Sequence, residues 1–562
     1  MEKNYMMLPL GLLKQSPARK KIDISVVEDM RQRIIDGLKK DQIEVSELSV
    51  IIGPTVVRFE YCPNERYKIK QIWSCENSLD EILSEYGSIR LIAPVPEKGA
   101  ITVEVPRPDR QIVPLREVLE SDEFQRSKAE LPIALGISSE NKSIVTDLAK
   151  MPHLLITGMT GQGKSVLLNN IILSLLYRKS PDDLKLALID TKMGGFNQYN
   201  QVARQYFVDF QGIGQNVITD LDEALSVLSA IAFEMDERYT LFSSVQCRNF
   251  WEYNRLIQEG KLSKYDGHQH LPYIIVCIND FADLIEVIGK DAEIIIARIA
   301  QKGGAVGIHI IIATRSQSAN IVTGIIKVNF PEKIALRIRQ ISGSRTILDQ
   351  TGAERLIGHG DLLYSGHHSP LTRIQCCVVD TSEIENVCYW IKTNYEQSQP
   401  YQLPIPEFKS IESDKDPLFM DIAHSLLDQS QYKFPYENYR IIGDTAEINK
   451  VIRIFGFINI NIADITSTLS TDTLNYVTVG VGDNITDALE QSVDNLSITQ
   501  GQVGKMLFQI LIPKDFEANM SAIKPLLDFI SKYNNDIDVC WGIACDESLT
   551  DKIKVILIAS SK

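Results

Sequence analysis

Leu154-Leu-Ile-Thr157 is a short apolar run that passes directly into Gly158-Met159-Thr160-Gly161-Gln162-Gly163-Lys164-Ser165. Val166-Leu-Leu-Asn-Asn-Ile-Ile-Leu-Ser-Leu-Leu follows, with its apolar residues at helical spacing. No other stretch restricts the fold as much. Strand, glycine-rich turn and helix in that order are part of an α/β sheet whose strands run parallel. The glycines let successive backbone N–H groups turn inward around an anion, and the helix start adds its partial positive charge. This spacing is that of a loop that binds a nucleoside triphosphate with Mg²⁺. Lys164 reaches the β- and γ-phosphates, the Ser165 hydroxyl ligates the metal, and Val166 opens the helix behind them.

At 562 residues the chain exceeds what one core holds, so about three or four domains are expected. No run of roughly 18 apolar residues is present and the N-terminus lacks a signal-peptide core, which predicts a soluble, cytoplasmic protein without a membrane segment. The nine cysteines are scattered without metal spacing and read as reduced, mostly buried thiols. The net charge of −15 lies mainly in the C-terminal third. Residues 301–350 run the other way. There Lys302, Arg315, Lys327, Lys333, Arg337, Arg339 and Arg345 face only Glu332 and Asp349. Such a patch can serve a polyanion even on an acidic protein, and it is equally compatible with a solvated face.

Residues 1–135 mix helical and extended patterns, which predicts a small α+β domain. A helix is expected over Ser25–Leu38, and two extended pieces flank Gly53-Pro54. Further short strands are expected at Ile101–Pro106 and Gln111–Leu115. Residues 136–395 alternate apolar strands (Leu154–Thr157, Leu184–Asp190, Tyr273–Ile278, His309–Thr314) with helices. That predicts a parallel sheet covered on both faces, with its chemistry at the strands' carboxyl ends. Asp190 and Lys192, Asn279 and Asp280, and Thr314 and Arg315 stand at those ends and should line the phosphate loop. Residues 396–440 read as a linker, rich in Pro, Ser, Asp and Glu from about Gln397 to Pro417. Residues 441–562 read as a second α/β domain, with helices Ile485–Leu496 and Ser521–Tyr533 and strands Lys505–Ile512, Val539–Ala544 and Lys554–Ala559.

Longer strings carry a resemblance. Asp147-Leu-Ala-Lys-Met-Pro-His-Leu-Leu, Tyr273-Ile-Ile-Val-Cys-Ile-Asn-Asp-Phe-Ala-Asp-Leu284, Ala305-Val-Gly-Ile-His309, Ser344-Arg-Thr-Ile-Leu-Asp-Gln350 and Gly360-Asp-Leu-Leu-Tyr-Ser365 resemble the α and β motor segments of the FtsK/SpoIIIE DNA translocases. The resemblance implies a RecA-like P-loop motor that binds ATP and Mg²⁺. It also implies a hexameric ring around double-stranded DNA, working in chromosome segregation and cell division.

Three departures from the family pattern bear on mechanism. Its Asp-Glu pair at the end of a strand, which holds Mg²⁺ and polarises water, falls on Asn279 and Asp280. An amide has no charge to offset the metal, and Asp280 is one methylene short for placing a nucleophile. Alternatively Asp280 takes the metal role and no base remains. The family's arginine that acts across the subunit interface falls on Gly304. Its phosphate-sensing glutamine falls on Arg315, which either supplies the missing cation within one subunit or is a surface or DNA-facing residue.

Asp416-Pro-Leu-Phe-Met-Asp-Ile-Ala-His resembles the start of the family's winged-helix γ domain, but no basic recognition helix follows, so contact with DNA is expected to be indifferent to sequence. Residues 445–562 resemble the C-terminal domain of the division protein FtsZ, through Glu447–Ile465 and the final strand pair Val539–Ala559. Asn459, Asn461 and Asp464 fall on that family's synergy loop, while its GTP-binding half has no counterpart. The fold expected is therefore α/β: a P-loop motor, an N-terminal α+β domain and a C-terminal FtsZ-C-like two-layer α/β domain that docks on a polymer of the division protein or on its own copies. The function expected is ATP-driven translocation on DNA. The alternative is an ATP-binding assembly protein that hydrolyses slowly or not at all.

Overall fold

The computed structural model describes most of residues 6–405, apart from 64–68, 94–99, 264–266, 316–317, 319–320, 367–370, 396–399 and the single positions 18, 152 and 193. Beyond that span it describes 439–453, 456–458, 465, 468–469, 473–496, 503–513, 538–546 and 549–561. The chain divides into two compact units, Met1–Phe408 and Lys409–Lys562. No described helix is long and apolar enough to cross a membrane.

The first unit opens with an antiparallel sheet of β1 (Val45–Ile52), β2 (Val56–Pro63), β3 (Arg90–Ile92) and β4 (Ile101–Pro106), in the order β1-β2-β4-β3. β1 and β2 part at Gly53-Pro54, as expected of a dipeptide that interrupts a ladder. The helix Ile24–Lys40 begins where the Asp23 carboxylate accepts from the Ser25 N–H, and it ends on Lys39 and Lys40, whose charges suit its C-terminus. Met30, Ile34 and Leu38 recur every fourth residue. That stripe is buried in one core with Phe59 and Val103 of the sheet.

A ten-stranded sheet follows. Its strands are β5 (Pro132–Ser138), β6 (Ser143–Asp147), β7 (His153–Thr157), β8 (Leu184–Asp190), β10 (Val217–Ile218), β11 (Tyr273–Asn279), β12 (Ile308–Thr314), β13 (Glu332–Leu336), β14 (Asp361–Ser365) and β15 (Thr372–Cys376). A separate ribbon pairs β9 (Val208–Phe210) with β16 (Tyr401–Leu403). The sheet order is β10-β8-β11-β12-β7-β13-β14-β15-β5-β6. From β10 to β13 the neighbours are parallel, and from β13 to β6 they are antiparallel. The all-parallel sheet expected from the sequence is thus a mixed one. The β5–β6 and β14–β15 connections are too short for a crossover, so those strands can only fold back.

Two further expectations are corrected. Gln111–Leu115 is no strand: Pro114 makes one isolated bridge to Val378, and Leu115 starts the helix Leu115–Leu119. Proline has no N–H for a ladder and suits a helix start. The expected linker also begins too early. Tyr401–Leu403 adds β16 to β9, and the Tyr401 hydroxyl donates to Glu234 while accepting from the buried Arg238. Most of the remaining linker, with Asp416–His424, lies outside the described residues.

The second unit is a six-stranded sheet in the order β17-β19-β22-β20-β21-β18. Its strands are β17 (Arg440–Gly443), β18 (Gly456–Ile458), β19 (Leu474–Gly482), β20 (Val503–Ile512), β21 (Asp538–Cys545) and β22 (Ile553–Ser561). Val555, Leu557 and Ala559 of β22 bury with Ile485, Ala488 and Leu489 of the helix Ile485–Asp494. Ile556 and Ile558 bury in a second cluster with Ile448 and Val451 of the helix Thr445–Arg453. Both faces are covered, so the layers number three where two were expected. Strands apolar at consecutive positions require this. The expected helix Ser521–Tyr533 lies outside the described residues, as do Asn459, Asn461 and Asp464.

Candidate functional site

β7 stands between β12 and β13, while the chain next enters the sheet at β8, beyond β11. The strand order therefore reverses at β7. In such sheets the crevice at the reversal point, outside the carboxyl ends of the strands, is where ligands sit. The loop 158–163 leaves β7 into this crevice and feeds the helix Lys164–Leu176, whose residues Leu167, Leu168, Ile171, Ile172 and Leu175 are fully buried. Gly163 caps the helix at φ 109°, and a Cβ there would stand 3.2 Å from the Gly360 nitrogen. Only glycine fits both demands.

The Lys164 ammonium donates to the carbonyls of Gly158 (2.6 Å) and Met159 (3.1 Å), so it lies over the loop it belongs to. Burial pulls its pKa below the ordinary lysine value, opposed by the attraction of Asp280. Ser165 is exposed one residue further on, at the loop mouth. Met159 N–H donates to the Arg337 carbonyl and the Gln162 carbonyl accepts from Gly360 N–H, which pins the loop from the β13 and β14 side.

The other predicted residues meet on the opposite side. Asp190, at the end of β8, is fully buried. Its oxygens accept from Gly195 N–H (2.7 Å) and from the Asn279 amide (3.0 Å), so it orients the lining of the site. With its Nδ2 engaged on Asp190, Asn279 has its amide oxygen as the atom suited to a metal shell. Asp280 turns the chain from β11 into the helix Phe281–Ile288 at φ 64°, ψ 55°, a left-handed geometry uncommon outside glycine. It pairs with Lys192, and Arg315 Nε lies 3.6 Å from its Oδ1. Thr314 ends β12, buried, and its carbonyl accepts from Gly158 N–H.

Asp283 is the residue the sequence reading missed. It accepts from Arg315 at 3.0 Å and pairs with Lys192 at 3.0 Å. Partial burial works against the Lys192 charge, but its hydrogen bonds to Asp280 and Asp283 hold its pKa above the ordinary value. The signal was available: Asp283 is three residues beyond Asp280 in a helix's first turn, hence on the same side. Arg315 thus stands in the site but is engaged by carboxylates of its own chain. Gly304 does not join this group. It lies in the turn Gly303–Val306, just before β12 at the amino edge of the sheet.

The residues fit a Mg-nucleotide. Thr157 Oγ1 and Thr191 Oγ1, at the ends of β7 and β8, are buried and make no hydrogen bond among the described residues. Buried polar atoms of that kind ordinarily have partners. Among the described residues, no group of three or more His, Cys, Asp or Glu could hold a metal alone. Mg²⁺ here would rest on phosphate oxygens, Ser165, Asn279 and Asp280 together.

The basic block does not form one face. Lys327 (2.5 Å) and Lys333 (3.4 Å) are paired with Asp349, Arg315 belongs to the site, and Arg337 abuts the phosphate loop. Arg339 and Arg345 are exposed.

Two family models match the sequence: the FtsK/SpoIIIE family over residues 114–319 and the FtsK alpha domain over residues 8–107. "DNA translocase FtsK" of Haemophilus influenzae is 39% identical over 394 residues, which are 67% of this chain and 73% of that protein. "DNA translocase FtsK" of Chlorobaculum tepidum is 39% identical over 68% of this chain, which spans 47% of that protein's length. Among solved structures, the pCW3 conjugation coupling protein TcpA aligns with a TM-score of 0.43 at 21% identity, covering 64% of this chain and 99% of that one. The sequence relation, and not this distant structural one, fixes the kinship.

Proposed function

The chain belongs to the FtsK/SpoIIIE family, and we propose that it is an ATP-driven motor that moves along double-stranded DNA without reading its sequence, in chromosome segregation and cell division. One observation carries the chemical part: a glycine-built phosphate loop at the sheet's reversal point, with Lys164, Ser165, Asn279 and Asp280 brought to its mouth from strands far apart in sequence. Bound Mg-ATP supplies the γ-phosphoryl group and the charge that builds on it. Lys164 would neutralise that charge, Ser165 and Asn279 would hold the metal shell, and Asp280 would orient water or take a place on the metal. Asp190 keeps Asn279 in register, and Lys192 and Arg315 set the charge around Asp280. In this reading six subunits form a ring in the cytoplasm, with DNA through its centre.

A role in assembly without turnover is not favoured, because the relatives that match over two thirds of the chain are named as translocases. Asn279 and Gly304 bear instead on the rate of hydrolysis. The C-terminal unit is an interaction module in this reading, docking on a polymer of the division protein whose last domain its final strands resemble. Its acidic balance would repel phosphates, which assigns DNA contact to the first unit.

The test is phosphate release from ATP with and without duplex DNA, for the full chain and for Lys164→Ala. Duplex-stimulated turnover that Lys164→Ala abolishes is the expected result. A wild-type protein that neither binds ATP nor responds to duplex at low salt would remove the proposal.

A further inference from the structure

The phosphate loop is held from behind at two points, Met159 N–H on the Arg337 carbonyl and the Gln162 carbonyl on Gly360 N–H. A loop of this kind needs such support. Its N–H groups face an anion and are kept from bonding within the loop, and its glycines impose little shape of their own. Each anchor leads, through a few bonds, to an arginine outside the nucleotide site that pairs with the N-terminal domain.

The Gln162 anchor leads into buried charge. Gly358 (φ 89°), His359 (φ 54°) and Gly360 (φ 87°) are consecutive left-handed residues, a course that a non-glycine keeps only where its surroundings fix it. Asp361 does so: it accepts from Ile357 N–H at 2.8 Å and from Arg373 at 2.7 and 3.0 Å. Arg373 donates in turn to Glu104 of β4 at 3.0 Å, and all three side chains are buried. This point of the loop is rigidly set.

The Met159 anchor is set by a more accessible pair. Ile338 N–H, next to the Arg337 carbonyl, donates to the Ala353 carbonyl at 3.2 Å. Arg355 leaves the same turn, Ala353–Arg355, and donates to Asp80 at 2.7 Å. Asp80 stands in the helix Glu76–Ile82, and its other oxygen accepts from Ile89 N–H at 2.8 Å, just ahead of β3. Gly352 (φ 127°) precedes the turn, and a Cβ there would come within 3.0 Å of Arg90 Nε of β3, so glycine lets the turn sit this close.

We propose that Arg355 is a positioning residue for the phosphate loop: through Asp80 it fixes the Met159 end of the loop against the N-terminal domain. The inference rests on the phosphate-loop reading and deepens it. With one anchor set by buried charge and the other by the Arg355–Asp80 pair, the loop meets a triphosphate already shaped for it. Less ordering is then left to be done on binding.

The experiment is calorimetric titration of the full chain with Mg-ATPγS and with Mg-tripolyphosphate, which carries phosphates alone. Arg355 and Asp80 are both partly exposed, so Arg355→Met and Asp80→Asn leave no charge buried and both variants should fold. The expected result is affinity for both probes lowered about five-fold in each variant, with no further loss in the double variant and with the number of sites unchanged. Arg355→Lys, which keeps the charge, should stay within about two-fold of wild type. A merely structural role would instead reduce the number of sites filled at unchanged affinity, and that result overturns the proposal. So do losses that add in full in the double variant, or a loss confined to ATPγS. Affinities unchanged in every variant overturn the positioning role alone and leave the phosphate-loop reading standing. A wild-type chain that binds neither probe removes both.

Discussion

Asp280 holds a left-handed conformation that costs a non-glycine residue roughly 1–3 kcal/mol, and two cations of its own chain converge on it. Arg315 reaches both Asp280 and Asp283, so its charge is fixed at the site mouth rather than left to solvent. On that geometry Arg315→Ala should lower phosphate release at least about ten-fold with little change in KM, the pattern of a group that matters in the transition state. An unchanged rate would remove Arg315 from the mechanism. A second residue-scale effect sits inside the fold. His153 of β7 is fully buried, and its Nδ1 accepts from Ile310 N–H. Burial, helped by the neighbouring His309, pushes its pKa well below the ordinary value, so it stays neutral in the native state. The unfolded chain takes up that proton near pH 6.5, so native stability is full above that pH and falls as the pH drops below it, by about 1 kcal/mol per unit for one group. Denaturation midpoints at pH 7.5 and 5.5 measure this, and His153→Gln, which keeps an acceptor for Ile310, should show a shallower loss. Sequence made the phosphate loop readable because one contiguous string carries it. Asp283 was readable only by way of Asp280, one helical turn before it, because no local pattern shows that the two carboxylates face cations carried by other strands.

At the scale of elements, continuous apolar runs identified β7, β8, β11 and β12, because strands buried on both faces leave no polar alternation. The antiparallel half escaped because periodicity reports burial and not direction; direction came from the lengths of the connections. The Tyr401–Leu403 strand escaped for a different reason, as a short segment among prolines whose pairing partner lies far away in sequence. Charge also binds the elements in a way that no pattern announces. Arg373 of β15 is buried with Asp361 of β14 and Glu104 of β4, and Arg90 of β3 lies 3.4 Å from the same glutamate. This cluster joins the small sheet to the strand behind the phosphate loop. Removing its centre leaves two carboxylates buried without their principal cation, so Arg373→Met should cost about 3–5 kcal/mol of stability. Urea denaturation of the purified variant checks it, and a loss under about 1 kcal/mol would mean that water or Arg90 takes over the role.

The whole molecule separates its tasks. The phosphate loop, the carboxyl-end cluster and the exposed Arg339 and Arg345 all belong to Met1–Phe408, and the buried clusters of that unit share no residue with those of Lys409–Lys562. Most of the −15 net charge lies in the later part of the chain, so the acidic composition says little about what the first unit binds. That is why a duplex-binding role is compatible with an acidic protein. A chain ending at Phe408 should therefore keep its affinity for ATP within about two-fold, since every group on the nucleotide is retained. Its affinity for duplex DNA at low salt should rise, because removing a body of like charge lessens repulsion of the phosphates, and the gain should fade as salt screens it. Fluorescence anisotropy with a labelled duplex over a salt series measures both effects. Weaker duplex binding by the truncated chain at every salt would place part of the DNA contact in the C-terminal unit and reverse the division of labour drawn here.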